Sequence, residues 1–137
     1  MSNVLAGIGR GQLKVLERRL AQKRHIFEFY KENLSHLEGL EMMPVNDWNE
    51  PNFWLSCITL SGKVKPLKIL EALERENIES RPIWKPMHMQ PFYRDCDFLG
   101  SGVSQKIFEH GLCLPSDTKM TDDDLNRICE IIKGVWR

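Results

Sequence analysis

Arg81, Trp84, Lys85, His88 and Gln90 crowd into one short segment, Arg81-Pro82-Ile83-Trp84-Lys85-Pro86-Met87-His88-Met89-Gln90-Pro91. Arg81 and Lys85 can neutralise a diphosphate, Trp84 can stack on a ring or a sugar face, and His88 and Gln90 can hydrogen-bond hydroxyls. The set suits an anionic, partly planar, polyhydroxylated ligand. Pro82, Pro86 and Pro91 fix backbone angles and withhold amide donors. The residue before each is pushed towards extended geometry. No helix can run through such a stretch, and it makes a poor central strand. It reads as a stiff binding loop held by a scaffold.

Other chemistries find less support. His25, His36, His88 and His110 show no ligand spacing to one another or to the cysteines, so no metal site is expected. Asp122, Asp123 and Asp124 lack the glycine and distal glutamate of a calcium loop, and a helix start explains them. Gly7-x-Gly9-x-Gly11 has the wrong spacing for a phosphate loop and no preceding strand. No Gly-x-Ser-x-Gly elbow marks a serine nucleophile. Cys113 is the best-placed thiol, near a strand end, but a buried thiol is the stronger reading. No residue is assigned a catalytic role.

The 137 residues fit one domain and can bury a real core. Nineteen basic residues balance nineteen acidic ones, leaving no global field to favour nucleic acid or an anionic membrane. No apolar run approaches the roughly 20 residues needed to span a bilayer. Cys57, Cys96, Cys113 and Cys129 are widely scattered. Cys57 and Cys113 sit in apolar segments and read as small buried hydrophobes. The compartment is read as reducing and cytoplasmic.

The elements that must position the loop follow from periodicity. Residues 2–34 read as one long helix, with Val4, Ile8, Val15, Leu16, Leu20, Phe27 and Tyr30 at roughly helical spacing. Gly7, Gly9 and Gly11 weaken it by up to about 1 kcal/mol each. They suggest close packing of another backbone, or a helix start that an absent neighbour stabilises. The helix also begins without lead-in, which reads as a chain cut from something larger. Residues 36–51 read as a loop, and Phe53 to Leu60 as the clearest strand. Pro66 suits the first position of a second helix, and Asn77 its C-terminal cap. A short strand is expected within 78–83, a helix at 103–110 stopped by Gly111, and a strand at 112–114 ended by Pro115. Thr121 caps a final helix that buries Leu125, Ile128, Ile131, Ile132 and Val135. The order predicts an α+β fold: a long N-terminal helix, then a small sheet of three or four strands with helices on one side.

Read together, several segments resemble one family. Met1-Ser2-Asn3-Val4-Leu5-Ala6-Gly7-Ile8-Gly9-Arg10-Gly11-Gln12-Leu13 is similar to the helix that follows an Asn-Tyr-Arg turn in pyridoxal-phosphate-dependent sugar aminotransferases of the DegT/DnrJ/StrS type. The Arg81–Pro91 segment resembles that family's C-terminal-domain loop. Gly111-Leu112-Cys113-Leu114-Pro115-Ser116 and Met120-Thr121-Asp122-Asp123-Asp124-Leu125 resemble its closing strand and last helix. The match covers nearly the whole chain in the right order.

The resemblance implies the small C-terminal domain of a fold-type I aminotransferase, residues 35–137, preceded by a bridging helix, residues 1–34. It implies transfer of an amino group, usually from glutamate, to a nucleotide-linked keto-sugar for polysaccharide or lipopolysaccharide synthesis, in a homodimeric enzyme. It places the Schiff-base lysine and the pyridoxal 5'-phosphate on a large domain upstream. This chain alone is therefore expected to bind no cofactor and to be inactive. Carried over by the resemblance, His88 lies near the sugar nucleotide with Trp84 and Lys85 flanking it; Arg81 and Gln90 complete the expected substrate contacts. The rival expectation is a stand-alone, non-catalytic α+β module that binds a ligand or a partner.

Overall fold

A computed structural model describes residues 2–137. The helical stretch expected over 2–34 is broken into α1 (Asn3–Leu13) and α2 (Leu16–Leu34). Val15 leaves helical geometry, with φ −112° and ψ 3°, and its amide bonds the Gln12 carbonyl in a tight turn. The physical reason is uneven support. A helix is held mainly by tertiary burial of one face. α2 buries Ile26, Phe27, Tyr30 and Leu34, whereas α1 buries nothing and carries the three glycines. No atom beyond the local helix lies within 4 Å of a Cβ placed on Gly7, Gly9 or Gly11, so no other backbone packs there among the described residues.

The rest alternates short strands and helices: β1 (Leu40–Met42), β2 (Ser56–Leu60), α3 (Pro66–Arg75), β3 (Arg81–Pro82), α4 (Val103–His110), β4 (Gly111–Leu114) and α5 (Asp122–Gly134). Two single 3-10 turns, Met87–Met89 and Pro91–Tyr93, lie between β3 and α4. The strands form one antiparallel sheet in the order β1-β2-β4-β3. β2 alternates as a sheet facing a core on one side should: Ser56, Ile58 and Leu60 are buried, Cys57 and Thr59 half-buried. Ile58, Leu60, Leu112 and Leu114 pack against Ile26, Tyr30 and Leu34 of α2, Ile69 and Leu73 of α3, and Leu125, Ile128 and Ile132 of α5. These three helices cover one face, as expected. The shorter α4 approaches the other face, where a Cβ on Gly111 would collide with the Ile107 carbonyl. No helix among the described residues is long and apolar enough to cross a membrane.

Local chemistry sets the boundaries. Pro66 opens α3. Asn77 closes it in the left-handed region, φ 56°, while the Ile78 and Asn77 amides bond the Leu73 and Glu74 carbonyls at 3.0 and 2.9 Å. At α5 the Thr121 hydroxyl accepts from the Asp124 amide, and the Asp124 carboxylate accepts from the Thr121 amide at 2.9 Å, a reciprocal capping box. Cys129 joins Leu125, Ile128 and Ile132 as buried, while Ile131 and Val135 are partly buried.

Three strand expectations shift. β1 falls inside the expected loop 36–51. It is only a three-residue edge, set by Gly39 at φ +76°, where a Cβ would come within 2.8 Å of the Gly62 nitrogen. β2 starts at Ser56 rather than Phe53, because Phe53 has φ 50° and the Trp54 amide bonds the Asn52 side chain at 3.0 Å. β3 keeps only Arg81 and Pro82, and an edge position tolerates that proline.

Truncating Ile58 to alanine should cost about 2–5 kcal/mol in urea unfolding, since it empties the centre of the sheet–helix core. Hydrogen bonds from Thr121 hold the Asp124 carboxyl below its ordinary range. A depressed carboxyl stabilises the fold above its unfolded pKa, and that contribution is lost as pH falls through the folded one. The stability gap between the wild type and Asp124→Asn should therefore be widest near neutral pH and close below about pH 4. A gap that does not change with pH would remove the carboxylate from the cap.

Candidate functional site

The register of the sheet brings three chain segments to one end of the strands. Arg81 pairs with Cys113, and Ser56 with Leu114. The turn before β2, the residues around β3 and the end of β4 therefore converge. They line a cleft of about 310 Å³ that includes Trp54, Ser80, Arg81, Trp84, Cys113 and Ser116. Two indoles form its apolar wall. Trp54 and Trp84 are 65% and 64% exposed, with ring centroids 6.0 Å apart and planes inclined by 35°. The guanidinium of Arg81 reaches Glu79, with contacts of 2.6 and 2.7 Å between groups that are both largely exposed. The Ser80 hydroxyl is buried with no hydrogen-bond partner.

α2 fixes the back of this cleft. The Lys23 ammonium donates to the Trp54 carbonyl at 2.9 Å and to the Ser116 carbonyl. Tyr30 donates to the Pro115 carbonyl at 2.8 Å, and Arg19 to the Thr118 hydroxyl at 2.9 Å. Burial lowers the Lys23 pKa against the attraction of Asp117. Burial also pushes the Tyr30 hydroxyl well above the usual phenol range, so it remains a donor throughout the neutral range. Past the end of β4, the Ser116 hydroxyl accepts from the Ser56 amide and donates to the Leu114 carbonyl, both at 3.0 Å. A side chain thus continues the β2–β4 pairing where the chain turns at Pro115.

The five residues expected to contact a ligand separate into two groups. Arg81 and Trp84 line the cleft. Lys85 follows Trp84 and is exposed. His88 and Gln90 are engaged in the loop's own structure. The Gln90 carboxamide donates to the Lys85 carbonyl at 3.1 Å, closing the turn around Pro86 and Met87. The His88 ring stacks on Phe98, with centroids 3.7 Å apart, and its Nε2 is buried without a partner. Trp54, Ser80 and Ser116 were not among the expected residues. Trp54 reads in the sequence as strand interior, and only the turn at Asn52-Phe53 directs it to the cleft.

The family model that matches residues 1–133 is that of the DegT/DnrJ/EryC1/StrS aminotransferases. The chain belongs to this family. EpsN of Bacillus subtilis, by name a pyridoxal phosphate-dependent aminotransferase, is 40% identical over 136 residues, which are 96% of this chain and 35% of EpsN. The GDP-perosamine synthase of Vibrio cholerae is 32% identical over 141 residues, covering 99% of this chain and 38% of that enzyme. In fold, the crystal structure of the aminotransferase TlmJ from Streptoalloteichus hindustanus superposes with a TM-score of 0.83 at 22% identity, over 96% of this chain and 35% of TlmJ. The chain spans little more than a third of the length of the relatives it matches.

DegT/DnrJ/EryC1/StrS enzymes act as aminotransferases, and pyridoxal phosphate needs an amine to receive its aldehyde. Among the described residues no lysine lines the cleft between Trp54 and Trp84, and the one carboxylate there, Glu79, is paired with Arg81. These residues by themselves do not fit the cofactor. What they offer is two stacking faces and one guanidinium, held by Glu79.

Removing the Tyr30 hydroxyl leaves the Pro115 carbonyl without its donor. Tyr30→Phe should lower unfolding free energy by about 1–2 kcal/mol. Gln90→Ala, which opens only a clamp on the exposed loop, should lower it by less than about 0.5 kcal/mol. Equal effects in urea unfolding would remove the ranking of the two anchors.

Proposed function

We propose that this chain is the substrate-side C-terminal domain of an aminotransferase that moves an amino group from glutamate to a nucleotide-linked keto-sugar, for polysaccharide or lipopolysaccharide synthesis. The family match over residues 1–133 carries the reading, and the similarity to a GDP-perosamine synthase supports the nucleotide-sugar substrate. Residues 35–137 act as the small domain and residues 1–34 as the bridging segment. The remaining two-thirds of the enzyme supplies pyridoxal 5'-phosphate and the lysine that binds it. The enzyme works as a homodimer in the cytoplasm, and the chain alone turns over no keto-sugar.

In this reading the cleft orients the substrate. Trp84 and Trp54 offer faces for the base or the sugar ring. Arg81 exchanges Glu79 for a phosphate oxygen, because a guanidinium binds both through the same planar fork. Lys85 adds a second cation beside it. His88 and Gln90 contribute by holding the loop and reach hydroxyls when it closes. A stand-alone binding module is the weaker reading, because α1 leaves Val4, Leu5, Ile8 and Leu13 uncovered, each more than half exposed.

In the full-length enzyme, Trp84→Ala and Arg81→Ala should each raise KM about tenfold, corresponding to about 1.4 kcal/mol, with the cofactor absorbance unchanged. Lys85→Ala and His88→Ala should show smaller losses of substrate affinity. Unchanged kinetics in all four variants would take the loop out of the substrate site. Borohydride trapping of pyridoxal phosphate on one specific lysine of residues 1–137 would place the anchoring amine in this chain after all.

A further inference from the structure

β2 and β4 set Cys57 directly opposite Cys113. Along a strand, successive side chains alternate between faces. Ile58 and Leu112 point into the helix-covered core, so the two cysteines leave the sheet on its other face. Their Sγ atoms are 3.7 Å apart. All four cysteines are free thiols. Cys96 is exposed in the loop after β3, and Cys129 is buried in the core on α5. Cys57 is half-buried, whereas Cys113 is buried, 5% exposed, where the sheet borders the cleft beside Trp54 and Trp84. Small solutes therefore reach the pair through Cys57, with Cys113 as the buried partner.

Directly opposite strand residues have Cβ atoms about 4.5–5.5 Å apart, and a disulfide needs about 3.5–4.5 Å. Side-chain rotation and a small approach of two already paired strands close that gap without a change of register. We propose that Cys57 and Cys113 are a dithiol modification site, which a small-molecule disulfide oxidises to a covalent link between β2 and β4 at the edge of the cleft. One thiolate attacks the small disulfide, forming a mixed disulfide and releasing one small thiolate. The second cysteine, deprotonated, attacks the protein sulfur of that mixed disulfide and expels the other small thiolate. Two protein thiols are oxidised by two electrons, one small disulfide is reduced to two thiols, and the two protons pass to the products. Burial pushes the Cys57 thiol up to about 12 and raises Cys113 as well, so both are thiols at neutral pH and exchange is slow. The same spacing suits an organic arsenoxide, R–As=O, in which arsenic(III) forms two As–S bonds and its oxygen leaves as one water with no change of oxidation state.

The test incubates the full-length protein with oxidised glutathione, alkylates the remaining thiols and maps the cysteines by mass spectrometry. The expected product is one dithiothreitol-reversible peptide pair joining Cys57 to Cys113, two hydrogens lighter than the reduced pair. Cys96, being exposed, reports that oxidant was active. Glutathione on Cys96 with no Cys57–Cys113 link would overturn the proposal. Phenylarsine oxide gives a second readout that needs no oxidation. It should bind one per chain in the wild type and in Cys96→Ser, and fall to background in Cys57→Ser and Cys113→Ser. Undiminished binding in either of the last two variants would also overturn it.

Discussion

The structure depends on the way α2 holds the turn that follows β4. Pro115 ends the strand and has no amide to donate, and the carbonyls of Pro115 and Ser116 are left facing the helix. Lys23 and Tyr30 meet them, and Lys23 also meets the carbonyl of Trp54. Taking an ammonium partly out of water is costly, and the lowered Lys23 pKa is the sign of that cost. Two carbonyl acceptors offset it, and Tyr30, neutral and fully buried, donates without a charge to desolvate. One helix therefore sets the separation of the two segments that form the back wall of the cleft. The Trp54 indole hangs from one and Ser116 closes the other.

The same arrangement explains what was legible in the sequence. Features written in consecutive residues were readable: Pro66 and Asn77 around α3, Thr121 and Asp124 at α5, the Gly111 stop before β4, and the proline loop itself. Features decided by a distant partner were not. The break at Val15 comes from burial that α2 receives and α1 does not. β1 is too short to carry a pattern and exists because β2 offers it an edge. Trp54 left its expected strand because Phe53 adopts φ 50°, packs on Phe27 with ring centroids 4.7 Å apart, and lies beneath the Arg24 guanidinium at 5.6 Å. That contact joins residues far apart in the chain, so only the fold could reveal it. The meeting of Cys57 and Cys113 is of the same kind.

The segment from Arg81 to Pro91 was expected to present five polar tips. Its prolines give it stiffness, but they also leave carbonyls that need donors. Gln90 answers one of them at Lys85, and amides of residues 89 and 90 answer those of Pro86 and Met87 at 3.0 Å each. A stiff loop thus spends part of its polar inventory on itself. His88 shows the opposite tension. Its ring gains a stacking partner in Phe98, while its Nε2 lacks one, and a buried imidazole nitrogen without a hydrogen bond costs free energy. Any movement of the loop that hydrated or paired that nitrogen would recover some of it.

Charge at the cleft follows a related logic. Glu79 lies two residues before Arg81, the first residue of the edge strand β3, and both side chains are mostly in water. An exposed pair of this kind contributes roughly 0–1 kcal/mol. It orients the guanidinium at almost no thermodynamic cost and can be broken as easily. A ligand with two adjacent phosphates brings more charge to the same planar fork than one carboxylate does, and it can also engage the exposed Lys85. In the proposed reading, electrostatics favour the exchange once the ligand's other end is held. The apolar faces of Trp54 and Trp84 stand where such an end would rest, on segments that Lys23 and the pairing of β3 with β4 already keep in place. In the proposed reading, the indoles determine which ligands stay, and the arginine determines how they face.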